Sequence, residues 1–170
     1  TTSMLYPIVE DYGASVIDVL TGFKFIGEKI KDFEQNNYYK EYLFGFEESY
    51  GYLAGTYARD KDAVVAAMLT AQMAADYKKQ GMTLYEGLES LYKKYGYYLE
   101  STKSVVLEGI DGGAKIDAIM EKFRTNPMKQ IADTKVLNVW DVKNSTITDV
   151  QTGQVKPLDL PKSNVLKFNL

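Results

Sequence analysis

Apolar positions recur along the chain at periods that name the elements. Phe23, Ile26, Ile30 and Phe33 stand at helical spacing and predict one amphipathic helix over residues 23–33. Before it, Ser3 is placed to cap a short helix running to Asp11, with Pro7 near the first turn and Gly13 as the stop. Residues 14–20 (ASVIDVL) are rich in β-branched side chains and predict a short strand. Residues 34–40 (EQNNYYK) predict a polar loop, and residues 42–46 (YLFGF) a strand that runs into Glu47-Glu48-Ser49. A long helix opens at residues 58–62 (ARDKD) and continues to Lys79. Its body, VVAAMLTAQMAA, is apolar nearly all round, which predicts a buried helix. Gly81 ends it, and Thr83 with Glu86 has capping-box spacing for another helix, with Leu84, Leu88 and Leu91 on one face. Residues 97–107 predict a strand, 109–113 a turn and helix start, and 115–124 a helix with Ile116, Ile119, Met120 and Phe123 inward, closed at Asn126-Pro127.

The pattern then changes. Residues 136–142, 146–150 and 165–168 predict strands, with Thr152-Gly153 as a hairpin turn. Helices and strands intermix up to about residue 128, and only strands follow, which places a domain boundary near residues 127–133. Residues 1–128 form the expected α/β domain, a mixed sheet flanked by helices. Residues 129–170 form a linker and the first strands of a second domain. Three short strands bury little core, so the second part is expected to be truncated.

Composition narrows the chemistry. The 170 residues carry a formal net charge of -3, with 45% hydrophobic and 25% charged residues, as an ordinary globular chain does. No basic run is present, which argues against nucleic-acid binding, and no apolar stretch approaches the ~20 residues of a membrane span. There is no cysteine, so disulfides and thiolate metal sites are excluded, and the expected compartment is the cytoplasm. There is no histidine, which removes the commonest general base at neutral pH. The 14 tyrosines read as half-buried rings with wet hydroxyls rather than as a platform for bases.

Three segments hold candidate chemistry. In an extended backbone, Glu47 and Glu48 point to opposite faces, so they cannot flank one bond as a glycosidase pair does at roughly 5–10 Å. Glu47 and Ser49 would share a face and suit hydrogen bonds to neighbouring sugar hydroxyls, although an E-E-S segment is also an ordinary solvated turn. Arg59 and Lys61 precede the long helix. They either hold an anion with its N-terminus or are solvated while Asp60 or Asp62 caps the helix. Thr21-Gly22 opens the second helix, either as a plain cap or as a turn that meets a ligand. Gly109-Ile110-Asp111-Gly112-Gly113 has one carboxylate and no Lys-Ser/Thr partner, and reads as a turn.

Taken in order, L-T-G-F-K-F-I-G-E-K-I (residues 20–30), F-G-F-E-E-S-Y-G (44–51) and A-R-D-K-D-A (58–63) resemble the third domain of the α-D-phosphohexomutases, the phosphoglucomutases and phosphomannomutases. The resemblance covers residues 3 to about 128, and the tail resembles the opening of the family's fourth domain. It implies an intramolecular phosphotransferase that interconverts hexose 1-phosphate and hexose 6-phosphate through a phosphoserine and a sugar bisphosphate, with magnesium assisting. Glu47 and Ser49 match the loop that reads the sugar hydroxyls. Thr21 and Gly22 match the turn facing the substrate, and Lys61, with Arg59 beside it, matches the basic stretch near the phosphosugar. The doublet Glu47-Glu48 leans toward glucose phosphates over mannose or pentose phosphates.

The resemblance assigns no catalytic residue and no metal ligand to this chain. The family's Ser-His-Asn loop requires a histidine, and no D-G-D-x-D-R or R-x-S-G-T motif occurs. The expectation is a sugar-recognition fragment, inactive alone, whose Mg2+, glucose 1,6-bisphosphate-type activator and remaining domains belong to a longer parent. The expected partners are a phosphorylated hexose and those domains. A stand-alone phosphosugar-binding module and a purely structural domain are the alternatives.

Overall fold

The computed structural model describes residues 1–36 and 39–170, which divide into two compact units, Thr1–Ser101 and Thr102–Leu170. The first contains helices α1 (Leu5–Asp11) and α2 (Phe23–Gln35), strands β1 (Phe44–Phe46) and β2 (Tyr52–Ala54), and helices α3 (Ala63–Lys79) and α4 (Leu84–Tyr95). The second contains helix α5 (Ile110–Thr125) followed by β3 (Gln130–Ile131), β4 (Thr134–Lys135), β5 (Asn138–Asp141), β6 (Thr146–Asp149), β7 (Val155–Pro157) and β8 (Leu166–Asn169). The architecture is mixed α/β, with small antiparallel sheets and a β-rich second part.

The core of the first unit lies between α2 and the β1–β2 hairpin. Phe23, Ile26 and Ile30, three of the four apolar positions that predict α2, are buried with Leu53 of β2, and Val19, Tyr42 and Ala58 pack around them. Alternation sorts the hairpin. Gly45 and Leu53 pair across the strands and face α2, while Phe44, Phe46 and Tyr52 face outward and stack with centroids 5.8 to 6.3 Å apart. A Cβ on Gly45 would lie 2.8 Å from Ile26 Cγ2, so glycine lets the strand sit close on the helix. The Tyr42 hydroxyl donates to the Leu53 carbonyl at 3.1 Å, and burial pushes its pKa up to about 12.

Several expectations change. Ser3 does not cap α1: Met4 takes the cap position, and Ser3 contributes only its carbonyl, which accepts from the Tyr6 amide at 3.2 Å. Residues 14–20 and 97–107 form no ladder, because β-branched composition makes a strand only where a partner supplies hydrogen bonds. The expected loop over 34–40 begins later, since Glu34 and Gln35 close α2, and its residues 37 and 38 lie outside the described residues. Helix α3 has no buried residue, and Val64 is 79% exposed. This helix is apolar nearly all round but packs chiefly on β2 and α4, too few partners to cover it. In α4, Thr83 and Glu86 form the expected capping box, but Leu84 and Leu88 remain exposed. The buried residue is Gly87, where a Cβ would lie 2.5 Å from the Tyr77 ring of α3.

In the second unit, α5 starts five residues earlier than expected, with Gly109 at its cap, and Ile116 and Ile119 remain exposed. Strands β5 and β6 fall within the predicted segments, β8 runs one residue past the end of its segment, and β7 adds an edge, giving the order β7-β6-β5-β8. The β6–β7 turn carries Gly153 at φ 71°, and the Asp149 carboxylate accepts from the Gln151 and Thr152 amides at 2.9 and 2.8 Å. Val136, Val139, Val142 and Leu158 form its core.

Candidate functional site

The hairpin loop and the residue 58–62 segment flank β2 and meet beside α2. The Glu47 amide donates to the Gly51 carbonyl at 3.0 Å, which closes the loop that follows β1. The Asp62 amide donates to the Tyr52 carbonyl at 2.7 Å, which lays the second segment along β2. On the other side, a Cβ on Gly27 would lie 2.7 Å from the Arg59 carbonyl, so glycine admits this segment against α2.

These contacts bring Lys61 to Glu47. The Glu47 side chain continues the inward alternation of Gly45 and is only 11% exposed, with Lys61 Nζ 3.7 Å from its Oε1. That separation is an ion pair rather than a hydrogen bond. Lys61 remains half-exposed and also sits 5.6 Å from the centroid of the Phe23 ring, the first residue of α2 after Thr21-Gly22. Glu47 and Lys61 therefore lie together beside the Phe23 ring at the start of α2.

The loop turns at Glu48 and Ser49, so strand alternation ends at Glu47. Ser49 and Glu48 are exposed, and only Glu47 points inward. Thr21 makes no capping hydrogen bond. Gly22 occupies the cap of α2 at φ 123°, a conformation that side chains resist, and Thr21 is exposed ahead of it.

Arg59 is committed elsewhere. Its Nη2 donates to both carboxylate oxygens of Glu34, at 2.5 and 2.6 Å, and its Nη1 to the carbonyls of Thr56 and Ala58. The N-terminus of α3 is also occupied, because Asp62 accepts from the Val64 and Val65 amides at 2.7 and 3.3 Å. The Tyr57 hydroxyl and then the Val64 amide hold the Asp62 carboxyl below its usual range, and the same bond raises the Tyr57 pKa. The Lys61 amide and ammonium hold Asp60 low. The structure therefore separates Arg59 from Lys61 and does not assemble them into an anion cradle at the helix end.

Residue types alone do not mark two further participants, Phe23 under Lys61 and Gly51 beside Glu47. A Cβ on Gly51 would lie 2.8 Å from both Glu47 Oε1 and Lys61 Cδ. The visible signal was the glycine that closes the F-G-F-E-E-S-Y-G segment. Among the described residues no three Asp or Glu side chains converge as metal ligands. No described helix is long and apolar enough to cross a membrane.

A carboxylate held inward beside a half-free cation, on a glycine-bracketed hairpin loop, also bears on lineage. Residues 1–95 match the family model of phosphoglucomutase/phosphomannomutase, alpha/beta/alpha domain III. The chain belongs to the phosphoglucomutase/phosphomannomutase family. It is 39% identical over 150 residues to a phosphoglucomutase of Staphylococcus aureus (strain bovine RF122 / ET3-1), covering 88% of this chain and 27% of that protein. It is 36% identical over 168 residues to a phosphoglucomutase of Staphylococcus saprophyticus, covering 99% of this chain and 30% of that protein. The chain thus spans less than a third of the length of these relatives. No solved structure matches it. The three motifs of the α-D-phosphohexomutase resemblance all lie inside the matched domain III.

Proposed function

We propose that this chain is the sugar-reading segment of a phosphoglucomutase that interconverts hexose 1-phosphate and hexose 6-phosphate through a phosphoserine and a sugar bisphosphate. Glu47 accepts hydrogen bonds from adjacent hydroxyls of the hexose, and Ser49, exposed at the tip of the loop, donates or accepts beside it. Thr21 and Gly22 line the same corner. Lys61 turns from Glu47 toward the phosphosugar, and Arg59 supports the segment through Glu34. The glucose phosphates are the favoured substrates, and the setting is cytoplasmic. Magnesium, the bisphosphate activator and the phosphoserine are supplied by the rest of the parent protein.

One observation carries this reading. The Glu47 carboxylate is nearly withdrawn from water, yet its partner Lys61 stays half-exposed at 3.7 Å, free to exchange that carboxylate for an incoming anion. The charges also limit the isolated chain. Glu47 and Asp60 both pair with the one cation, Lys61, so a phosphate needs more positive charge than this corner provides. Phosphoryl transfer rests on positioning and on cations around the transferring group, and this corner brings one.

The test is kinetic, on the intact protein that contains this chain. Glu47→Gln and Ser49→Ala are expected to lower kcat/KM for glucose 1-phosphate by at least about tenfold, or about 1.4 kcal/mol each. If neither changes turnover, the site assignment is wrong. The isolated chain is expected to show no transfer and only weak binding, and calorimetry giving micromolar affinity for it would contradict this.

A further inference from the structure

Tyr50 stands out in the hairpin loop on three counts. Its backbone is left-handed, φ 63°, and it is the only aromatic residue among the described residues with positive φ. Elsewhere seven glycines take such positions, with Ala132 and Ser145 as the other exceptions. A side chain there costs roughly 1–2 kcal/mol, which glycine avoids. Packing does not return that cost. The ring is 86% exposed, and it makes no hydrogen bond or ring contact among the described residues. The neighbouring aromatics Phe44, Phe46 and Tyr52 are stacked on one another, so the ring has no place in that cluster. Finally, Tyr50 follows Ser49 directly and precedes Gly51, the residue packed against Glu47 and Lys61.

Strain that the folded chain does not recover points to a use outside the chain. We propose that the Tyr50 ring is a stacking platform for the hexose that Glu47 and Ser49 hydrogen-bond. This inference rests on the sugar-reading role argued above. A pyranose presents hydroxyls around its edge and C–H groups on its faces, so a carboxylate and a hydroxyl can hold the edge while a flat ring covers a face. Sugar sites combine apolar or aromatic walls with a few placed polar groups in this way. A ring binds by face rather than by donor and acceptor order, so it accepts a hexose presented either way round.

The experiment measures calorimetric Kd for glucose 1-phosphate, and KM, in the intact protein. Tyr50→Asn removes the ring but tolerates the left-handed backbone, so it keeps the loop. It is expected to weaken binding about five- to tenfold with kcat little changed, as for a contact present throughout the reaction. Tyr50→Phe is expected to recover most of that loss. Unchanged Kd in Tyr50→Asn overturns the platform, and so does Tyr50→Phe as weak as Tyr50→Asn, since the hydroxyl would then be the active group. Glu47→Gln is the companion variant. If it loses activity while Tyr50→Asn does not weaken binding, the sugar site stands and the platform falls. If Glu47→Gln is also unaffected, or the unsubstituted protein does not bind, both readings fall.

Discussion

Gly51 lacks a side chain where Glu47 and Lys61 already occupy the space. A methyl group there would sit 2.8 Å from Glu47 Oε1 and Lys61 Cδ, both parts of flexible side chains that can move aside. Gly51 is not among the positive-φ residues, so alanine meets no backbone strain. Gly51→Ala is therefore expected to leave stability within about 1 kcal/mol while separating the ion pair. In the intact protein, kcat/KM for glucose 1-phosphate should fall about tenfold, with an unchanged thermal midpoint checked by calorimetry. A large drop in midpoint would mean that Gly51 serves the fold instead. The site was only partly legible at this scale. Glu47 and Ser49 could be picked from the motif, but alternation gave the wrong reason for Ser49, because the loop turns before reaching it. The Arg59 link to Glu34 joins residues 25 apart in sequence, and no local pattern announces such a pair.

Elements were legible where their causes are local. The face of α2, the Asp62 cap and the Thr83–Glu86 box all rest on residues within a few positions, and all are in place. The segments at 14–20 and 97–107 failed because a strand needs a partner, which composition does not name. The hairpin shows the difference. Strand β2 is weakly patterned, yet its Leu53 is fully buried against α2, and its register with β1 aims Glu47 inward. Leu53→Ala is expected to cost about 3 kcal/mol through lost burial and the cavity left behind. Urea unfolding should register it, and a change under about 1 kcal/mol would mean the hairpin is not anchored there. Thr83→Ala tests a cap away from the site. Its lost hydroxyl contact should cost about 1 kcal/mol in the same measurement, without altering sugar-phosphate kinetics.

For the molecule as a whole, the second unit contains an ion pair that makes its stability depend on acid. Arg124 of α5, 7% exposed, donates from Nε to both carboxylate oxygens of Asp141 in β5 at 3.1 Å. Its other nitrogens donate to Glu121 and Asn164, and Asn144 donates to Asp141 at 2.6 Å. Burial pushes the Asp141 carboxyl up, but the bonds from Arg124 and Asn144 outweigh it and leave the group below its usual range. A carboxyl depressed on folding binds its proton less readily folded than unfolded. Its contribution is thus fully present above the unfolded value of about 3.9 and is lost as pH falls through the lower folded value. The sole tryptophan, Trp140, lies beside Asp141 in β5 and reports on this unit. Its fluorescence-detected urea midpoint should hold from pH 7 to about pH 5 and fall below pH 4. Asp141→Asn should lower the midpoint at pH 7, because Arg124 is left without its carboxylate, and should flatten the decline in acid. Arg124→Ala should cost about 3 kcal/mol at neutral pH, as when one partner of a buried pair is removed. An unaltered acid slope in Asp141→Asn would transfer the acid sensitivity to the exposed carboxylates, and the α5–β5 link would then hold the unit together without making it pH-sensitive.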